Sequence, residues 1–452
     1  MSRLHFASAL LPSGWANDVQ VVITSGAIAE VTPDVAPAAG DERRGIALPG
    51  LASLHSHAFQ RGMAGLAELR GDSTDTFWTW RETMYRFALA MTPDDVTAVA
   101  TQLYVEMLEQ GFTRVGEFHY LHHDRDGSHY VDPGEMAARI AQAAEASGIA
   151  LTLLPSFYAH GSFGGAAPHD GQRRFICTVD QFAALMAASR KAIGHLPDAN
   201  IGIAPHSLRA VTPDELAAII PLADGGPVHI HAAEQVKEVE DCLAWSGRRP
   251  VQWLLEHAPV DRRWCLIHAT HMTDEEISAF AATGAVAGLC PITEASLGDG
   301  IFPAREFLAA GGAFGVGTDS NVLVGVTDEL RQLEYGQRLK HRQRNVLSGG
   351  AGRSTGRTLF DEALAGGSRA LAQATVGLVP GARADIVTLD AAHPSLAGRS
   401  HDALIDGWIF AAGSGAIDCV WAGGHKVVEG GRHRLRETAR QRFNAAVQRL
   451  IA

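Results

Sequence analysis

Cysteine is scarce in this chain and forms no pattern. Five occur, Cys177, Cys242, Cys265, Cys290 and Cys419, an odd number without a CxxC pair. A disulfide framework is therefore excluded as the basis of stability, and a reducing setting, the cytoplasm, is expected. Long hydrophobic runs are also missing. No window holds about 18 uncharged apolar residues, so no membrane span is expected. The opening MSRLHFASALLPSGWANDVQ carries one short apolar run soon broken by Trp, Asn and Asp, and it does not read as a signal peptide. Basic residues are the minority, 38 Lys and Arg against 50 Asp and Glu, for a formal net charge of −12. Phosphate binding needs a basic face, so nucleic acid is excluded as the main partner, whereas a local basic pocket for a small anion is not. No strand-like run leads into GxGxxG or a GxxxxGKS/T loop, which weakens nucleotide-binding readings.

What is present is ample core material. Hydrophobic residues make up 46% and charged residues 19%, enough to bury a large core and to argue against disorder. Both chain ends read as β: residues 21–24 (VVIT), 385–390 (DIVTLD) and 417–422 (IDCVWA) are rich in β-branched residues and bounded by turn formers. Between them, eight short apolar runs alternate with amphipathic stretches such as 92–110, 133–147 and 179–193; the runs are 46–54, 113–118, 149–155, 201–205, 228–231, 264–268, 285–290 and 313–317. Eight β units with intervening helices point to an α/β protein with a (β/α)8 TIM-type barrel. The expected organisation is a small β domain, a β-sandwich, from 1–47 and 376–430, a distorted barrel over 48–375 and a C-terminal helix over 431–452. Thr92-Pro93-Asp94-Asp95, Thr212-Pro213-Asp214-Glu215 and Thr273-Asp274-Glu275-Glu276 are predicted helix starts, each with a Thr cap and acids in the first turn. The Gly-, Ser- and Arg-rich segment 347–357 reads as a mobile surface loop.

The chemistry lies where the runs end. The first ends in His55-Ser56-His57; on a strand, i and i+2 face one side, so both imidazoles can meet one ion. The fifth ends in His229-Ile230-His231-Ala232-Ala233-Glu234, the sixth in His268 and the eighth in Gly317-Thr318-Asp319-Ser320. Alone, an HxH pair is weak evidence. Four strand ends bearing His or Asp argue for one shared site, because catalytic groups of this fold sit at the C-terminal ends of its strands. Residues near strand ends that could bind a carboxylate are Gln60, Arg81, Tyr120, His206 and Arg209, while Arg61 reads as structural. His119, His122 and His123 read as part of a polar loop over the site, Trp78 and Trp80 as aromatic packing, and Cys290 as an inert buried thiol.

HxH after the first strand, HxxE after the fifth, His after the sixth and Asp after the eighth together resemble the amidohydrolase superfamily, and HxxE its deaminase branch. The resemblance implies one Zn2+ per chain held by His55, His57, His231 and Asp319, with Fe2+ or Mn2+ able to occupy the same set. The fourth run ends in Ala204-Pro205-His206-Ser207, without the Lys or acid that a binuclear centre needs. The resemblance further implies that Glu234, His268 and Asp319 are catalytic: Asp319 accepts a proton from water, His268 stabilises charge and Glu234 carries a proton to the leaving nitrogen.

His55-Ser56-His57-Ala58-Phe59-Gln60-Arg61, the segment Cys290-Pro291-Ile292-Thr293-Glu294-Ala295-Ser296-Leu297-Gly298-Asp299-Gly300 and Leu333-Glu334-Tyr335 are similar to the bacterial N-formimino-L-glutamate deiminases of histidine breakdown. Thr-Glu-Ala after the seventh run departs from the Asn-containing motif of purine and pyrimidine deaminases. This similarity implies a small dianionic substrate whose glutamate part meets Gln60, Arg81, Tyr120, His206 and Arg209, and a homodimer. Alternatives are a deaminase acting on guanine, an adenosine derivative or a triazine, a binuclear cyclic-amide hydrolase, and a zinc-stabilised binding protein that leaves Glu234 without a role.

Overall fold

The structure, a computed structural model, describes residues 1–70 and 76–452. Four strands open the chain: β1 (Ser2–Leu11), β2 (Gly14–Thr24), β3 (Ala27–Thr32) and β4 (Glu42–Pro49). Short strands interleaved with helices follow: β5 (Leu51–Ser56), β6 (Phe112–His119), β7 (Ala150–Phe157), β8 (Asn200–Ile201), β9 (Ala204–Pro205), β10 (Val228–Ala232), β11 (Trp264–His268), β12 (Val286–Leu289) and β13 (Ala313–Val316). The chain closes with β14 (Ile386–Leu389), β15 (Ile417–Ala422), β16 (His425–Glu429), β17 (Arg432–His433) and the helix Arg436–Ile451.

The opening and closing strands meet in one sheet, ordered β17-β16-β15-β14-β4-β1-β2-β3. The sequence suggested a two-sheet sandwich. The ladder instead runs unbroken, because β4 pairs in parallel with β1 on one edge and antiparallel with β14 on the other. With both edges of β4 satisfied, no gap separates a second sheet. One face of this sheet builds its own core around Phe6, Val19, Val21, Ile386 and Trp421.

The central strands form two parallel arcs. One is β5-β6-β7-β8 with β9 also on β7, the other β10-β11-β12-β13. Single parallel bridges join the arcs, Ile203 to Val228 and Ser207 to His231 at one seam and Ser56 to Asp319 at the other. Two arcs in strand order, linked at both seams, give the layout of a (β/α)8-type barrel. The run 46–54, read as one strand, serves two sheets. It breaks at Gly50, whose N–H donates to the Asp385 carbonyl at 3.1 Å and where a Cβ would meet the Thr113 side chain at 2.3 Å. The fourth run divides as well, because Ile203 turns aside to bridge Val228.

The predicted helix starts form as capping boxes: Thr92 with Asp95, Thr212 with Glu215 and Thr273 with Glu276. All five cysteines are free and buried. Among the described residues, no helix is long and apolar enough to cross a membrane.

Candidate active site

β5 and the residue that follows it deliver His55 and His57, β10 delivers His231, and the turn after β13 delivers Asp319. All four are buried and their ligating atoms converge. His57 Nδ1 lies 2.8 Å from the Phe118 carbonyl, and His231 Nδ1 lies 2.8 Å from the His206 carbonyl. A carbonyl only accepts, so both rings carry hydrogen on Nδ1 and turn an Nε2 lone pair inward. His55 Nε2 and His57 Nε2 each lie 3.3 Å from Asp319 Oδ1, and His231 Nε2 lies 3.2 Å from His55 Nε2. Lone pairs and a carboxylate oxygen facing one point repel unless a cation lies between them. Burial, then neighbouring imidazoles, pushes His55 and His231 well below the ordinary 6.5, and burial lowers His57 despite Asp319. The rings are neutral, as metal ligands must be, and three nitrogens with one oxygen fit a zinc-type ion.

The backbone here is strained. Ala233, His268, Ala269 and Asp319 all take positive φ, at 51°, 67°, 47° and 44°. Such conformations in residues other than glycine persist where surrounding structure fixes them, and they cluster at functional sites. At Gly317 a Cβ would come within 2.7 Å of the His55 backbone, so only glycine lets β13 approach β5 this closely.

Beside the cluster, His268 Nε2 lies 3.6 Å from Glu234 Oε1 and 3.7 Å from Asp319 Oδ2. Burial raises Glu234 to about 7, with His268 and Arg209 acting the other way. Burial alone would lower His268, but Glu234, the hydrogen bond to Glu294 and Asp319 outweigh it and raise it to about 10. A cation at the three histidines works against that imidazolium.

A cleft of about 530 Å³ opens over this cluster, and Gln60, Arg81, Tyr120, His206 and Arg209 all line it with His57, His231, Glu234 and Asp319. Gln60 Nε2 donates to the Tyr120 hydroxyl at 2.8 Å, leaving Gln60 Oε1 without a partner. Arg81 lies over the Trp78 ring at 4.6 Å, and Arg209 lies 5.8 Å from the same ring. Arg81 Nε and Arg209 Nη1 are buried without hydrogen-bond partners. Arg209 keeps its charge: burial opposes it, but Glu238 and Glu234 outweigh that effect and hold its pKa above the ordinary value. Arg61 stands outside, bonded to Glu106 and to the carbonyls of Asn321 and Val322, a structural contact as read.

His122 and His123 do not lie in a loop over the site. They are buried, with Nε2 atoms 2.8 Å from the Ser156 and Ile176 carbonyls, and they line a separate small cavity with His129 and Cys177. Trp80 lines the cleft rather than only packing. Residues 349–353 are at the surface as read, and the segment is anchored at its start, where buried Glu334 accepts the N–H groups of Val346 and Leu347 at 3.0 Å each. Cys290 is buried as expected, and burial pushes its thiol far up.

Four further buried groups, with no role legible in the sequence, hold the site. Asn321 Nδ2 donates to the carbonyls of His57 at 3.1 Å and Asp319 at 2.8 Å. Glu117 accepts the Ala58 N–H at 2.7 Å, Glu238 accepts the Glu234 N–H at 3.0 Å, and Glu294 Oε1 lies 3.3 Å from His268 Nδ1. Their common signal was an acid or amide within or just past an apolar run, where a charge needs a partner.

The chain belongs to the amidohydrolase family, which matches residues 46–427. Residues 1–45 match the N-terminal domain of the formimidoylglutamate deiminase HutF. The chain is 51% identical to a formimidoylglutamate deiminase of Pseudomonas aeruginosa, over 100% of both chains. A crystal structure of an amidohydrolase from Brucella melitensis shares 57% identity over 100% of both chains, with a TM-score of 0.97. An adenosine deaminase from Xanthomonas campestris with bound zinc, 22% identical, shares the fold over 99% of this chain and 98% of its own at a TM-score of 0.81.

Proposed function

We propose that this chain hydrolyses N-formimino-L-glutamate to N-formyl-L-glutamate and ammonia, the deimination step of histidine breakdown. One observation carries the reading: buried Arg209 and half-buried Arg81, each with one buried nitrogen that has no hydrogen-bond partner, share a cleft with Glu234, His57 and His231. A neutral purine would offer neither guanidinium a carboxylate, whereas a dicarboxylate supplies a charged acceptor for each unpartnered nitrogen. Full-length similarity to a formimidoylglutamate deiminase supports the same substrate.

We read the ion as a single zinc on His55, His57, His231 and Asp319; when bound, it supplies a water whose pKa is lowered to about 7. The chain's own residues do the rest. Arg81 and Arg209 pair with the carboxylates, and Gln60, Tyr120 and His206 offer hydrogen bonds to the glutamate part. Asp319 and Glu234 lie at the cluster and would take a proton from that water as its oxygen bonds to the formimino carbon. Burial raises the Glu234 carboxyl above the ordinary carboxylate range, which suits a group that both takes up and gives up a proton. Glu234 passes that proton to the terminal nitrogen of the protonated amidine adduct, the C–N bond breaks as the adduct's hydroxyl proton passes to Asp319, and ammonia leaves N-formyl-L-glutamate behind. His268 Nε2 faces Glu234 and Asp319 and would orient the water and stabilise charge developing on the adduct.

The test is direct. The zinc-loaded protein is incubated with N-formimino-L-glutamate, and ammonia and N-formyl-L-glutamate are measured. Equal release of both is expected. No release, with turnover of a purine instead, would overturn the substrate assignment and leave the deaminase reading standing.

A further inference from the structure

The Thr-Glu-Ala segment after β12 has no part in the chemistry above, yet its middle residue reaches into the site. Glu294 lies in the first turn of the helix Pro291–Leu297 and is buried. Its Oε1 accepts the Cys290 N–H at 2.9 Å, so the carboxylate is fixed to the backbone at the start of its own helix. That start is itself anchored. Glu329 accepts the Ile292 N–H at 3.0 Å, and Thr293 Oγ1 lies 2.9 Å from Ser320 Oγ, next to Asp319. The same Glu294 oxygen lies 3.3 Å from His268 Nδ1. His268 Nε2, at the other side of the ring, has no hydrogen-bond partner and faces Glu234 and Asp319.

A carboxylate only accepts, so this contact puts the hydrogen on Nδ1 and decides which ring edge meets the reacting atoms. Rotating the ring by half a turn would bring carbon toward Glu294 and withdraw Nε2 from the cleft. The left-handed backbone at His268 and Ala269 sets where the ring starts, and Glu294 sets how it is turned. We infer that Glu294 is a positioning residue: by accepting from His268 Nδ1 it holds the His268 ring with Nε2 aimed at the reacting centre. The inference deepens the deiminase reading and rests on it for the kinetic part of the test.

Both contacts use one oxygen, which makes the test selective. In Glu294→Gln the side-chain carbonyl can accept from Cys290 N–H and His268 Nδ1–H without the charge; Glu294→Ala removes the acceptor. Zinc-loaded full-length proteins are compared for metal content, thermal unfolding, kcat and KM with N-formimino-L-glutamate. In parallel, 15N-histidine NMR follows the His268 ring, assigned by the signals lost in His268→Asn. Glu294→Ala is expected to lower kcat on the order of 10²-fold with KM and metal content little changed. Glu294→Gln should recover most of that loss, and the Nδ1–H signal should be seen in the wild type and Glu294→Gln but not in Glu294→Ala.

Wild-type kcat in folded, metal-loaded Glu294→Ala would overturn the inference. So would an equal loss in both variants, because charge rather than placement would then be the cause. If Glu294→Ala does not fold, the wild-type spectrum decides, and a His268 ring protonated only at Nε2 sinks the idea. A wild type inactive on N-formimino-L-glutamate defeats the deiminase reading instead, while the spectrum still tests the contact.

Discussion

The Nε2 atoms of His55 and His231 lie 3.2 Å apart, although 176 positions separate the two residues in the chain. They belong to different arcs of the barrel. No hydrogen can satisfy both nitrogens and Asp319 Oδ1 at once, and the His231 hydrogen is already committed to the His206 carbonyl. A cation resolves the crowding. One equivalent of zinc per chain is expected by elemental analysis, and His→Ala changes at His55, His57 or His231 should remove metal and activity together. Two equivalents in fully active protein would contradict a mononuclear site.

Glu234→Gln is nearly isosteric and removes only the proton-carrying function. Turnover should fall about 10²- to 10⁴-fold while zinc content and unfolding temperature hold. Retention of wild-type kcat would remove Glu234 from the proton path.

Arg81→Met and Arg209→Met should each lower kcat/KM for N-formimino-L-glutamate on the order of 10²-fold, or about 3 kcal/mol, with metal content unchanged. The two residues meet at one indole, Trp78, at 4.6 and 5.8 Å. A substrate lacking one carboxylate should be penalised by the wild type and much less by the matching variant. Normal turnover of the dicarboxylate by both variants would refute the substrate assignment.

His433 gives an acid-side stability prediction remote from the cleft. Its Nε2 lies 2.9 Å from the Ser147 carbonyl and its Nδ1 accepts the Leu435 N–H at 3.0 Å, an arrangement that only the neutral ring can make. Burial lowers it to about 4 from 6.5, with the Ser147 hydrogen bond acting the other way. Between those values the unfolded chain binds the extra proton, so its contribution is full above pH 6.5 and is lost as the pH falls through 4, at most about 3 kcal/mol. Denaturant unfolding across this window should show a shallower pH slope in His433→Gln than in the wild type. Identical slopes would rule the ring out.

Local sequence determined the site's ingredients. His55 and His57 share a strand face because side chains alternate with period 2, and His231, His268 and Asp319 were marked as polar residues ending apolar runs. The Thr caps at 92, 212 and 273 are equally local, since a cap and its partner lie three residues apart. Tertiary structure alone decided what periodicity does not encode. Gly50 splits one apolar run between two sheets because Thr113 and Asp385, distant in sequence, arrive beside it. β4 pairs with strands from both chain ends, which turned an expected sandwich into one sheet. Glu294 meets His268 across 26 residues and Asn321 meets His57 across 264. Those partnerships depend on which strands become neighbours and in what register, and each buried polar group takes its partner from what the completed barrel brings within hydrogen-bond reach.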